Sequence, residues 1–191
     1  MNQFFEIKAL PDPEIIQSTI LGFLMDSVHK NIVQLQTGKG QVGVAFPCYG
    51  QHRSLGGIIR LIGEKAYLEE LHELVCADSI FEDYALATVI QPVPEEIVGH
   101  CEYRRIHPKG NSHFRRLKKR QQARGSWNEE AEAEIEQKFL QPLGLPHVYL
   151  QSKSTDQKYP LFVKAFFHKT PKKGTFNCYG LSLSGATVPS F

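Results

Sequence analysis

Arg115, Arg116, Lys118, Lys119, Arg120 and Arg124 fall within ten positions, with no carboxylate among them. The chemistry this pattern suits is phosphate binding, since each such cation can neutralise one phosphate of a polyanion. Metal-assisted hydrolysis asks instead for carboxylates and histidines gathered about a common cation. No such spacing occurs: Asp12 with Glu14, Glu69 with Glu70, and Glu82 with Asp83 fit exposed surface. A Gly-rich loop followed by Lys-Ser/Thr is also absent, which argues against nucleotide hydrolysis. RNA can be broken without metal, because its 2′-hydroxyl is a nucleophile beside the scissile phosphate. The protein then needs a base, an orienting group and charge stabilisation. Histidine is the natural base near neutral pH, and of eight histidines His29 stands out, at the border of an apolar stripe beside Met25, Ile32 and Val33. By pattern alone that position more often holds a packed or half-exposed histidine than a base.

The elements that must position these groups follow from periodicity. NQFFEIKA, residues 2 to 9, predicts a strand, and Asp12 with Pro13 opens a helix whose Ile16, Ile20, Leu24 and Val28 recur at helical spacing to about Leu35. The TGKG turn leads to strand QVGVAFP at 41 to 47, then strand GIIRLIG at 57 to 63, helix AYLEELHELV and strand ALATVIQP. This order is that of an α+β, ferredoxin-like βαββαβ domain over residues 1 to 94. Strand GIIRLIG carries none of the aromatics with which RNA-recognition sheets stack bases, so that sheet face is not expected to read single strands. Pro92, Pro94 and Gly99 mark a boundary, and residues 98 to 191 form a second, C-terminal α+β domain. In it, a strand through EYRRI leads into a basic helix at 112 to 124, capped by Asn111 or Ser112 and ended by Gly125. Only Phe114 and Leu117 give this helix an apolar side, so packing offers little to hold it and a polyanion can supply the rest. NEEAEAEIEQKFL predicts a solvated acidic helix, VYLQSKST and YPLFVKAFF a hairpin about TDQK, and TFNCYGLSLSG closes the chain.

The 191 residues carry a formal net charge of only +2, yet nine positive and no negative residues lie between Tyr103 and Gly125. The rest is net acidic, which concentrates attraction for nucleic acid on one surface. No basic leader or membrane-length apolar run is present, so a soluble cytoplasmic protein is expected. Cys48, Cys76, Cys101 and Cys178 have no CxxC spacing and read as reduced, mostly buried thiols rather than a zinc site.

Read end to end, the chain resembles the CRISPR-associated endoribonuclease of type I-F systems, which cuts precursor CRISPR RNA at a repeat stem-loop and stays bound to it. The resemblance rests on ordered motifs: a strand ending in LPDPE, a histidine late in the first helix, GVAFP at 43 to 47, RIHPKGN before the basic helix, the serine pair of LQSKSTDQ, then FNCYGLS and VPSF. It implies that His29 is the catalytic histidine, that Ser152 positions the ribose beside the cut, and that Tyr179 orients the histidine. It implies an RNA hairpin bound in its major groove by Arg115, Arg116, Lys118, Lys119 and Arg120, with Lys109, Ser154 and Thr155 also on the RNA. Arg105 and His107 match an Arg and a Gln that read base edges in the lower stem; His107 departs from that pattern. Tyr159 matches an aromatic that stacks on the terminal base pair. The implied ends are a 5′-hydroxyl and a 2′,3′-cyclic phosphate, with no metal or other cofactor. Partners would be the CRISPR repeat stem-loop and other subunits of a type I-F surveillance complex. Two readings compete: a non-cleaving RNA-hairpin-binding subunit, and a duplex-DNA regulator. The presence of His29, Ser152 and Tyr179 disfavours the first; the lack of a helix-turn-helix pair disfavours the second.

Overall fold

In the computed structural model, residues 1–35, 40–107, 111–125, 144–152 and 155–191 are described. They form a mixed α+β protein with antiparallel sheets, in two compact units: residues 1–106 with 145–191, and residues 107–144. The acidic stretch NEEAEAEIEQKFL, Lys109 and Ser154 lie outside the described residues.

Strand β1 (Gln3–Ala9) is the centre of the first sheet, with Phe5 and Ile7 fully buried. Helix α1 (Gln17–Gln34) packs through Ile20, Leu21, Leu24, Met25, Val28 and Ile32, all buried. Each such side chain contributes roughly 1.5–3 kcal/mol, so the helix is anchored along most of its length. It starts four residues later than Asp12–Pro13 predicts. The Asp12 carboxylate accepts from the amides of Glu14 and Ile15, both at 2.8 Å, and closes a turn of its own. Ile16 is consequently extended and 71% exposed, not part of the apolar face.

Strands β2 (Gly43–Ala45) and β3 (Ile58–Gly63) follow, then α2 (Lys65–Cys76), a short α3 (Ser79–Tyr84), β4 (Ala85–Ala87) and β5 (Gln91–Pro92). The sheet order is β2-β3-β1-β4, with β5 also on β1 and every pairing antiparallel. The strand expected over ALATVIQP is thus two. Thr88 explains the break: its hydroxyl and amide both bond the backbone of Glu6, turning the chain between the pieces. Helix α3 is not expected from the sequence; Asp78 caps it and Phe81 buries it.

The second sheet, in order β7-β8-β6-β9, comprises β6 (Gly99–Ile106), β7 (His147–Gln151), β8 (Lys158–His168) and β9 (Val188–Ser190). α1 lies against β7 so closely that a Cβ on Gly22 would sit 2.7 Å from the Tyr149 carbonyl oxygen. The chain end also reaches the first sheet: Arg60 donates to the Phe191 carbonyl at 2.8 Å while its guanidinium lies 3.9 Å from that ring. Of the four free cysteines only Cys101 is buried, whereas Cys76 and Cys178 are exposed and Cys48 is half-buried. Cys76 is on the open side of α2, and Cys178 is on a loop that turns its carbonyl, not its thiol, inward. In the other unit, α4 (Asn111–Ala123) is the basic helix. Among the described residues, no helix is long and apolar enough to cross a membrane.

Candidate active site

The site is built on the loop FNCYGLS, which the sequence shapes locally. The Asn177 side-chain oxygen accepts from the amides of Tyr179 at 2.9 Å and Leu181 at 3.1 Å, and Asn177 and Leu181 close a turn by a 2.8 Å backbone bond. Gly180 takes φ +69°, a conformation that costs L-residues energy. It also lies against β2, with its carbonyl accepting from the Val44 amide at 2.8 Å. A Cβ there would sit 2.4 Å from Val44 Cγ2, so no other residue fits without displacing the loop.

This turn presents two groups to α1. The Cys178 carbonyl oxygen lies 2.9 Å from His29 Nδ1, and the Tyr179 ring stacks on the imidazole with centroids 4.1 Å apart and planes at 14°. A carbonyl can only accept, so Nδ1 must carry the proton. In the neutral ring the lone pair is therefore on Nε2, the opposite edge. The imidazole is held by a hydrogen bond in one direction and by a stacked ring in another. That is the arrangement a general base requires.

Tyr179 is buried, and its hydroxyl lies 2.9 Å from that of Tyr159. Burial and this hydrogen bond push the Tyr159 phenol well above its ordinary value. The Arg105 guanidinium lies over both rings, 5.0 Å from the Tyr179 centroid and 5.6 Å from that of Tyr159. Strand alternation brings these groups together. Arg105 is opposite Val163 and Leu150 opposite Tyr159, so all four share the core-facing side of the second sheet, against which α1 packs. His29, Tyr179, Tyr159 and Arg105 thus form one contiguous cluster.

Ser152 follows β7, two residues past the Leu150–Tyr159 pair. Its amide donates to the Gln157 carbonyl at 3.0 Å, its carbonyl accepts from Asp156 at 2.8 Å, and its hydroxyl accepts from the Thr155 amide at 3.4 Å. The serine shapes its turn, and Thr155 is exposed beside it. His107 is exposed just past β6. On α4, Arg115, Arg116, Lys119 and Arg120 are exposed and Lys118 is half-exposed. Arg115 with Lys119, and Arg116 with Arg120, are each four apart, so each pair shares a side of the helix about 6 Å apart along its axis. Among the described residues, no group of three or more His, Cys, Asp or Glu is placed to hold a metal ion.

Sequence reasoning misses three participants. Asn177 is a turn residue whose only signal is its spacing from Gly180. The Cys178 contribution is a backbone carbonyl and leaves no trace in side-chain type. Asp26, one turn before His29, is ion-paired with Lys30 and close enough to Tyr159 to act on its phenol.

Residues 4–191 match the family described as CRISPR-associated protein (Cas_Csy4). The chain is 32% identical over 193 residues to a CRISPR-associated endonuclease Cas6/Csy4 of Escherichia coli (strain UTI89 / UPEC), covering 100% of each chain. It is 30% identical over 197 residues to a CRISPR-associated endonuclease Cas6/Csy4 of Pseudomonas aeruginosa (strain UCBPP-PA14), again covering 100% of each.

Proposed function

We propose that this chain, which belongs to the Cas_Csy4 family of CRISPR-associated proteins and is an endonuclease, cuts precursor CRISPR RNA at the base of the repeat stem-loop and keeps the product hairpin. The observation that carries the chemistry is the Nδ1–carbonyl bond of His29 at 2.9 Å, which leaves Nε2 as the basic edge. His29 Nε2 takes the proton of the 2′-hydroxyl, the 2′-oxygen attacks the adjacent phosphorus, and the bond to the 5′-oxygen breaks. The imidazolium returns its proton to that oxygen, giving a 5′-hydroxyl and a 2′,3′-cyclic phosphate without metal.

Tyr179 holds the imidazole by stacking. Ser152 orients the ribose, since a hydroxyl can both donate to and accept from the 2′-oxygen. Arg105 reads a lower-stem base edge, where its planar fork suits guanine; its position over Tyr179 and Tyr159 supports a contact close to the cut. His107 reads a second base, and Tyr159 stacks on the terminal pair. Arg115, Arg116, Lys118, Lys119 and Arg120, with Lys109, Ser154 and Thr155, hold the phosphates. The order β2-β3-β1-β4 supports a ferredoxin-like N-terminal domain to about residue 94, with the hairpin-binding domain after residue 98. The protein works in the cytoplasm beside other subunits of a type I-F surveillance complex.

The test is incubation of the purified protein with the CRISPR repeat RNA of its own genome in EDTA, with both product ends mapped. A single cut at the stem base with a cyclic phosphate supports this reading. Hairpin binding without a cut overturns it in favour of a structural subunit.

A further inference from the structure

The ring of Tyr179 can hold the His29 imidazole only if it is itself held. A tyrosine ring has two freedoms, the direction of its axis from Cβ to the hydroxyl and the spin about that axis. Stacking on His29, with planes at 14°, fixes the spin. It does not fix the axis, because stacked rings accept a range of offsets. The near end of the axis is set by the loop, where the Tyr179 amide donates to the Asn177 side chain at 2.9 Å. The far end, the hydroxyl, meets the Tyr159 hydroxyl at 2.9 Å. A hydroxyl lies on the ring axis, so this one contact sets the tilt of the ring and leaves its spin to the stack.

Tyr159 is the firmer of the two partners. It belongs to β8, in a ladder with β7 that runs from Lys158 to Phe162, and Leu161 and Val163 further along the strand are fully buried. Tyr179 instead is on a loop between the bridged residues Phe176 and Ser182. The Arg105 guanidinium spans the pair, 5.0 Å from one ring and 5.6 Å from the other. We propose that Tyr159 is a positioning residue for the cut: its hydroxyl sets the tilt of Tyr179, and that ring sets the direction of His29 Nε2. The inference rests on the endoribonuclease reading above, and it gives the Tyr159 hydroxyl a task separate from any contact its ring face makes with RNA. The same β7–β8 hairpin carries Ser152, whose amide bonds the Gln157 carbonyl at 3.0 Å. The group assigned to the ribose and the anchor of the base are thus built on one piece of backbone. Any movement of that hairpin carries both together, which preserves the alignment an in-line attack needs.

The test is Tyr159→Phe, which keeps the ring and removes only its oxygen. Single-turnover cleavage of the repeat RNA at saturating protein should slow by roughly 2- to 13-fold, the equivalent of one hydrogen bond, while hairpin affinity is unchanged. Tyr159→Phe combined with Tyr179→Phe removes no further bond, so the double variant should cut no more slowly than the slower single one. A second readout needs no RNA. The stacked ring shields the His29 ring protons, and in Tyr159→Phe their NMR signals should move downfield as the stack loosens. An unchanged rate, losses that multiply in the double variant, or a fall in affinity that matches the fall in rate overturns the proposal, and so do unmoved His29 signals. If the unmodified protein leaves the RNA intact, the endoribonuclease reading itself has failed, and the His29 signals still decide whether Tyr159 holds Tyr179 in place.

Discussion

Asn177 touches no reacting atom, yet Asn177→Ala should slow the cut. Its side-chain oxygen satisfies two amides, those of Tyr179 and Leu181, and both residues are buried, at 8% and 0% exposure. Losing an acceptor that leaves a buried donor unpaired costs about 1–3 kcal/mol. If that cost is relieved by opening the turn, Cys178 and Tyr179 withdraw from His29 for all but a fraction of the time. Each 1.4 kcal/mol is tenfold, so the single-turnover rate should fall by roughly 5- to 150-fold. The assay is cleavage of trace repeat hairpin by saturating protein, with hairpin affinity measured separately. Affinity should change little, because the basic helix is untouched. Asn177→Asp keeps an accepting oxygen and should retain most of the rate. An unchanged rate for Asn177→Ala, with melting showing the turn to be destabilised, would refute the idea that this loop positions the base.

His29→Ala should lower the single-turnover rate by about 10²–10⁴ with hairpin affinity preserved, and Ser152→Ala and Tyr179→Phe should each lower it less, because they orient rather than transfer the proton. Arg115→Ala with Lys119→Ala should weaken binding while cutting at saturating protein persists; filter binding against salt should show the slope of log K falling by about 0.9 per lost phosphate contact. Arg105→Ala should cost about 1–3 kcal/mol on the cognate hairpin and less on one whose lower-stem guanine is replaced, as measured by comparing the two affinities. Glu102 gives a stability prediction. Burial raises its pKa, but the hydrogen bond and charge of Arg104, with Ser182 and His168, outweigh that and hold it below the ordinary 4.5. Its contribution is therefore complete above that value and is lost as the pH falls through the folded pKa, so melts of the unmodified protein and of Glu102→Gln should differ at neutral pH and converge in acid.

Periodicity carried much of the fold, and it failed where local hydrogen bonding outweighed it. The stripe of α1 was legible in Ile20, Leu24 and Val28, which at helical spacing share one face and are all buried. Its start was not, because Asp12 closes a turn before Ile16 can join the helix. The strand over residues 85 to 92 alternates well enough, yet Thr88 bonds Glu6 and splits it. Burial of cysteines was misjudged because apolar neighbours in sequence do not fix which side of a loop faces inward. At the site, His29 was visible as a histidine on the margin of a core face, and Tyr179 only as an aromatic between Cys178 and Gly180. Their stacking depends on a turn 150 residues away from α1 in the chain, held by Asn177 and by the space against Val44 that only Gly180 leaves. The carbonyl that sets the tautomer of His29 could not be read at all, since every residue carries the same backbone carbonyl.

The proposed reaction depends most directly on its nucleophile. Replacing the single ribose 5′ of the scissile phosphate by deoxyribose, in an otherwise unchanged repeat RNA, removes the 2′-oxygen and nothing else. The mechanism requires that cutting in EDTA then cease while hairpin affinity stays within about twofold, a difference of about 0.4 kcal/mol. Cleavage of the deoxy RNA at the same phosphate would contradict it, because the attacking oxygen would have to come from water.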